Sequence, residues 1–258
     1  AKELVRISEN LNLYGAVEFH KRYDRANKML HDLIQDGSLG TPLYSWVEYS
    51  QRKSIPTEFF SKWSNKTSIL QYLGVHYIDL IRFVTKAKPI RVMAIGQKTW
   101  LLSKNIDTYD SIQCVIEWQI ENGKTFTETI ITSWLDPNCT SAMSEQKIKF
   151  AGDKGLYESD QKDRGIRITL ENDSLQHVNP DFCRPYYDSN NKLEWEGYGI
   201  DSVFVFLDDT TNLYASLITI DELNKNRPIF SEALYSTVVV ERAHESLNDN
   251  SSWKTIEL

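Results

Sequence analysis

Cysteine is scarce in this chain. There are three in 258 residues, Cys114, Cys139 and Cys183, odd in number and far apart, and no C-x-x-C occurs. Neither a disulfide framework nor a cysteine-built zinc site organises such a sequence, and a reducing cytoplasm is the simplest setting. Positive charge is also short. The net charge is -7, with no run of four or more Lys or Arg, which excludes a general nucleic-acid binder. No apolar stretch is long enough to span a bilayer. The opening AKELVRISENLN reads as a polar helical segment rather than a signal peptide. Nothing repeats at a fixed period and no segment has low complexity. The glycines form no G-x-G-x-x-G between a strand and a helix, and Gly197-Tyr198-Gly199 lacks the third glycine and follows a loop, so that kind of dinucleotide cradle is absent. With 41% hydrophobic and 25% charged residues, the chain reads as an ordinary soluble globular protein of one large domain or two small ones.

The most apolar helical pattern runs from Ser68 to Val84, SILQYLGVHYIDLIRFV. Ile69, Leu73, Leu80 and Val84 recur at the spacing of one helix face. His76 sits beside that stripe, with Tyr72 one turn before it and Asp79 one turn after. Residues three or four apart on a helix are neighbours, so the spacing predicts one cluster of Tyr72, His76 and Asp79. A carboxylate beside an imidazole fixes its tautomer and favours its protonated form, which suits a base. A packed histidine with one satisfied hydrogen bond fits the same pattern. A metal site is not expected, because His76 and Asp79 supply two ligands where zinc takes three or four. Gly74 weakens the helix by about 1 kcal/mol relative to Ala and marks either a close approach or the helix start.

Around this stretch the patterns alternate between helix and strand. Lys2–Asn12 reads as the last turns of a helix and Tyr14–His20 as a short strand ending at Lys21 and Arg22. Asp24 is placed to cap a helix running to about Asp36, with Met29, Leu30, Leu33 and Ile34 on its apolar face and Gly37 as its stop. Leu43–Gln51 and Ile90–Lys98 read as strands, and Ser54–Trp63 as loop with a short helical turn. Asp110–Ile120 and Thr125–Trp134 alternate with a period of two around Asn122-Gly123, a hairpin signal. Lys147–Ala151, Gly155–Ser159 and Gly165–Leu170 are expected to extend the sheet, and Asn179–Gly197 to be irregular. Helices are expected over Ile200–Leu217, with Val203, Phe206, Leu207, Tyr214 and Leu217 spaced for burial, and over Ser231–Leu247. Thr219 and Glu222 match a capping box, and Trp253–Leu258 a short closing strand. The expected fold is α/β (α+β): a large, mostly antiparallel open sheet with helices on one face. Its open face, rich in Thr, Ser and Gln, is solvated, floors a substrate or pairs with another subunit.

Four stretches in order carry a family resemblance: Lys21-Arg22-Tyr23-Asp24 at the end of the first strand, DLIQDGSLGTP (Asp32–Pro42), LGVHYIDLIRFVT with its G-x-H-x-x-D helix, and the tail RPIFSEALYSTVVVERAHESL. Together they resemble the C-terminal domain of the glucose–fructose oxidoreductase / inositol dehydrogenase / MocA (Gfo/Idh/MocA) family over nearly the whole chain. The resemblance implies a dihydrodipicolinate-reductase-like C-terminal domain. Residues 1–13 would be the last helix of an absent N-terminal Rossmann domain, and 14–258 a substrate-binding and oligomerisation domain. The parent would be an NAD- or NADP-dependent oxidoreductase acting by hydride transfer on a sugar, polyol or sugar derivative. The cofactor would be bound mainly by the missing domain, so the chain alone should not turn over. A homo-oligomer through the sheet face is also implied.

The family's histidine maps onto His76, which would accept the hydroxyl proton as hydride leaves the same carbon. Asp79 matches the residue three later. Many members carry an aspartate four residues before the histidine; here that place is Tyr72, which is neutral at pH 7 when unperturbed and cannot make His76 more basic. Tyr72 can instead donate a hydrogen bond to a substrate oxygen. Lys21 and Arg22 are candidates to reach a phosphate or carboxylate on the substrate, or are surface residues. Trp63, Trp134 and Tyr198 are candidates to stack on a sugar ring, or are core packing. Two alternatives remain. One is a non-catalytic sugar-binding or assembly member of the same fold. The other is a metal-dependent hydrolase that recruits His20, His31 or His244 to His76 and Asp79.

Overall fold

The structure is a computed structural model describing residues 1–258. Its helices are α1 (Lys2–Asn10), α2 (Arg25–Gln35), α3 (Val75–Thr85), α4 (Tyr198–Tyr214), α5 (Ile220–Asn226) and α6 (Phe230–Leu247). The long strands are β1 (Pro42–Arg52), β2 (Lys88–Gln97), β3 (Ser111–Gln119), β4 (Thr125–Asp136), β5 (Ser144–Gly152) and β6 (Leu156–Asp160). Short ones follow: β7 (Arg167–Ile168), β8 (Gln176–His177), β9 (Arg184–Tyr187), β10 (Leu193–Glu196) and β11 (Lys254–Thr255).

Seven strands form one open sheet in the order β11-β2-β3-β4-β1-β5-β6. All neighbours are antiparallel except β1 and β4, which run parallel. Between them the chain crosses over through α3 to β2 and returns through β3, since parallel neighbours need a crossover. The alternation read from the sequence sets the two faces. Ile112, Cys114, Ile116 and Trp118 of β3 and Phe126, Ile130 and Trp134 of β4 are buried against the helices. The same face of β4 also carries Glu128 and Thr132, both fully buried. Ile78, Leu80, Ile81 and Val84 of α3 and Val239 and Ala243 of α6 complete this core. Helices cover this one face. The opposite face leaves Thr127, Gln113 and Ile95 exposed, and Trp46, Val115 and Ile131 half-buried.

Several expectations are corrected. Tyr14–His20 is not a strand: it makes a single bridge, Ala16 to Ile229, beside a Val17 N–H bond to the Pro228 carbonyl. Pro228 has no N–H, so a ladder cannot propagate there. The chain instead tightens into a 3₁₀ turn over His20–Tyr23 that turns Lys21 and Arg22 inward. The segment Gly165–Leu170 leaves the main sheet and contributes β7 to a two-stranded ladder with β8. Asn179–Gly197 contains the hairpin β9–β10. Met29 is exposed, as are Val203, Phe206, Leu207, Tyr214 and Leu217 of the α4 region. Helical spacing there marks a largely exposed face, with Phe206 stacked on Tyr14 at 5.3 Å.

Candidate active site

Asp24 caps α2 through its Oδ1, which accepts from the Ala26 N–H at 3.0 Å, and it anchors the turn before it. Within that turn Arg22 reaches Asp79 of α3 in a two-pronged ion pair, Nε to Oδ2 at 2.7 Å and a terminal nitrogen to Oδ1 at 2.5 Å, with both side chains buried. The helix bearing His76 is thereby tied to the turn bearing His20. Before α3, Leu70–Gly74 forms a π-helical turn, an i→i+5 widening of a kind frequent at functional sites. Gly74 sits where this turn meets α3; a Cβ there would lie 2.5 Å from Leu70 Cδ1 and 3.5 Å from Thr132 on β4.

His76, Tyr72 and Tyr198 line one cavity of about 320 Å³. The π-helical turn and first turn of α3 supply Tyr72 and His76, β1 supplies Tyr49 and Gln51, and β5 supplies Gln146. Gln161, Lys162, His177 and Phe182 come from the segments after β6, and His20 from the 3₁₀ turn. Three of the chain's five histidines therefore meet here. The His20 and His76 rings are 4.6 Å apart, and His20 stacks on Tyr198 at 5.8 Å. His20 Nδ1 lies 3.0 Å from Glu18 Oε2, and the other Glu18 oxygen accepts from Ser202 of α4 at 2.8 Å. His76 Nδ1 is buried and has no hydrogen-bond partner. Burial, then the positive charges of His20 and Lys21, holds the His76 pKa well below the ordinary histidine range.

Lys21 lies beneath this cavity, fully buried. Its Nζ donates to Gln146 Oε1 at 2.5 Å and Gln161 Oε1 at 2.8 Å, and lies 4.8 Å from the ring centres of Tyr49 and Tyr77. Gln161 in turn donates to Asp24 Oδ2 at 2.5 Å, which also accepts from Arg164 at 2.6 Å. Burial pushes the Lys21 pKa down to about 7. Between that value and the ordinary 10.5 the unfolded chain binds the proton more tightly, so the Lys21 contribution makes stability rise with pH. The stability difference between wild type and Lys21→Met is expected to climb over that interval by up to roughly 1.4 kcal/mol per pH unit in favour of wild type. Chemical denaturation at pH 6.5 to 10 measures it; a flat difference would show that the ammonium reaches water.

The expected cluster of Tyr72, His76 and Asp79 does not form, because Arg22 takes both Asp79 oxygens. Arg22 and Asp79 do not line the cavity. Trp134 is fully buried and donates to Gln51 at 3.2 Å, so it supports the wall rather than facing the opening. Trp63 packs on Phe60 and Tyr72 outside the lining. Burial raises the Tyr72 hydroxyl pKa, which keeps it a neutral donor. Sequence reasoning had no role for His177, Gln146, Gln161, Lys162 or Phe182. His31 stacks on Phe83 and His244 bonds to Ser68, so neither joins His76 and Asp79 in a metal-ligand set. A larger hollow of about 710 Å³ lies between the start of α1 and α6, with His244 in its wall.

The model of the GFO/IDH/MocA C-terminal domain matches residues 28–158. No curated protein matches the chain. Among solved structures, myo-inositol 2-dehydrogenase from Lactobacillus plantarum is similar at 15% identity and TM-score 0.62, over 97% of this chain and 67% of that one. Scyllo-inositol dehydrogenase from Lactobacillus casei, solved with NAD(H) and scyllo-inositol bound, gives 14% and 0.62 over 96% and 66%. An oxidoreductase from Pseudomonas syringae gives 16% and 0.68 over 99% and 68%. At such identities the likeness is one of fold, and the chain spans about two thirds of the length of these structures.

Proposed function

The chain belongs to the GFO/IDH/MocA C-terminal domain family, and from that premise we propose that it is the substrate-binding and oligomerisation domain of an NAD- or NADP-dependent oxidoreductase that acts on a sugar, polyol or sugar derivative by hydride transfer. The observation that carries this reading is His76, an imidazole opening onto a cavity of monosaccharide size with a ring nitrogen left unpartnered. These residues do not make a dinucleotide cradle, since the chain has no glycine-rich strand-to-helix turn. The cofactor would be held mainly by a Rossmann domain preceding α1.

What this domain would contribute is the substrate side of the reaction. His76 takes the proton of the reacting hydroxyl, Tyr72 and Gln146 donate hydrogen bonds to neighbouring oxygens, and Phe182 and Tyr198 offer apolar faces to the ring. The open sheet face, with Trp46, Val115 and Ile131 half-buried, would meet a second copy. No helix is long and apolar enough to cross a membrane; a cytoplasmic setting is part of the proposal. A binding-only domain is the second reading, favoured by one observation: no carboxylate in the chain hydrogen-bonds to His76.

The test is NAD(P)H formation by the protein carrying this domain, over a panel of polyols, aldoses and sugar acids. His76→Ala should lower turnover by about 10²–10⁴-fold, the usual worth of a general base, with nicotinamide binding retained. Tight cofactor binding with no turnover on any substrate would favour the binding-only reading, and no cofactor binding at all would remove the oxidoreductase.

A further inference from the structure

We propose that the substrate of this cavity carries a carboxylate, as a uronate or aldonate does, and that the substrate supplies the negative charge which position 72 of this chain lacks. The proposal rests on the oxidoreductase reading for its chemistry, but the binding it describes does not need that reading.

The first argument is the lining. The chain has more acidic than basic residues, 36 against 29, yet no Asp or Glu lines the cavity. Four basic side chains do: His20, His76, His177 and Lys162. Carboxylates stand near three of them. Glu18 lies 3.0 Å from His20, Glu145 pairs with Lys162, and Asp163 is 4.0 Å from His177 Nε2. None of those three carboxylates faces the cavity. The wall thus offers basic and amide side chains and no carboxylate, with the Lys162 ammonium held from behind by Glu145.

The second argument is Lys21. A buried ammonium is costly unless it is paired, and this one has two neutral amides and no carboxylate within salt-bridge reach. An ammonium only donates, so Gln146 must turn its oxygen toward Lys21. Its amide N–H groups have no partner in the chain and are left to donate at the cavity wall. A carboxylate seated there accepts from Gln146 and is attracted by the charge behind it. It also counters the positive charges of His20 and Lys21 that weaken His76 as a base. Asp79 cannot do this, because Arg22 holds it.

A phosphate fits less well. No arginine lines the cavity, and guanidinium groups and free helix N-termini are the usual phosphate holders. Of the two helix starts at the wall, α3 runs on from the π-helical turn, with the Val75 N–H bonded to the Leu70 carbonyl, and α4 begins at Tyr198. Its first N–H groups are already taken, Tyr198 by the Asp181 carbonyl, Gly199 by that of Phe182, and Ile200 and Asp201 by that of Gly197.

The experiment is calorimetric titration of the 258-residue chain with D-glucuronate, D-galacturonate and D-gluconate. The comparison ligands are D-glucuronamide, D-galactose, D-glucose and D-glucose 6-phosphate. At least one acid should bind ten times more tightly than its neutral counterpart. That preference should fall at least threefold in Lys21→Gln, and also in Lys162→Gln, which sits at the wall and serves if the buried variant does not fold. Equal binding of acids and neutral sugars, tighter binding of the phosphate, or no acid-selective binding across the three acids overturns the proposal. Acid-selective binding by this chain, with neither nicotinamide binding nor turnover by the protein that carries the domain, would leave this inference standing and remove the oxidoreductase. Turnover of neutral polyols with no acid preference would do the reverse.

Discussion

Asp79→Ala is expected to lower the stability of the domain by about 3–5 kcal/mol, the cost of stranding one member of a buried ion pair. Arg22 and Asp79 are almost fully buried and joined by two hydrogen bonds. Removing the carboxylate leaves a guanidinium that cannot shed its proton at any ordinary pH, between Phe19 and Phe83 at 5.9 and 4.9 Å. Burial raises the Asp79 carboxyl pKa and Arg22 pulls it part of the way back. Attraction here offsets a large desolvation cost, so the pair itself adds little net stability while its breakage costs much. The double variant Arg22→Met, Asp79→Leu should therefore recover most of the loss. Urea denaturation of wild type, both single variants and the double variant measures the coupling. A loss below about 1 kcal/mol in Asp79→Ala would mean that water reaches the guanidinium. The pair also holds the His20 turn against α3, so Asp79→Ala should loosen the cavity wall without altering any residue that lines it.

Arg22 and Asp79 show what the sequence discloses and what it withholds. They lie 57 residues apart, and a charge on a helix with an otherwise apolar stripe reads equally as solvated, catalytic or paired. Lys21 is harder still. Its burial depends on Gln146 and Gln161, which are 125 and 140 residues away, and no local pattern announces a buried lysine. The strands of the main sheet were readable because one face is buried, and burial on one face writes a period of two into β3 and β4. The hairpin β9–β10 was not, because its residues are mostly exposed and impose no alternation. His76 was readable as a candidate from its helix and from family resemblance, and it lines the cavity. Of its cavity neighbours, His20 was raised only as a metal ligand and His177 not at all, since a 3₁₀ turn and a two-residue strand carry no pattern that places them there. Tyr198 was expected near the substrate as an aromatic and lines the cavity, whereas Trp134, chosen on the same ground, is walled off behind Gln51.

Glu128 was hidden by the same alternation that made β4 readable, since a single acid in a period-two strand does not reveal which face it takes. It is fully buried on the core face; one oxygen accepts from Trp118 Nε1 at 2.9 Å and the other has no partner. Burial pushes its pKa well above the ordinary carboxylate range. The folded chain therefore holds this proton more tightly than the unfolded chain does. The stability that follows is fully present below the unfolded value of about 4.3 and is lost as pH rises through the folded pKa. Glutamine has the same shape, keeps an acceptor for Trp118 and cannot ionise. Glu128→Gln should match wild type near pH 4, then gain on it by roughly 1.4 kcal/mol per pH unit until the folded pKa is passed. Denaturation curves from pH 4 to pH 8 decide the matter, and parallel curves for the two proteins would show that water or a cation reaches the carboxylate. The slope separates this acid from Lys21 by sign and by range, because the lysine makes stability rise with pH above about 7 while Glu128 makes it fall from the acid side. One ionisable group thus lies under the cavity and another deep in the same helix-covered layer. Glu128 takes stability away as pH rises from the acid side and Lys21 returns it above about 7, so the two slopes oppose each other, and the Glu128→Gln variant should keep only the rise above about 7.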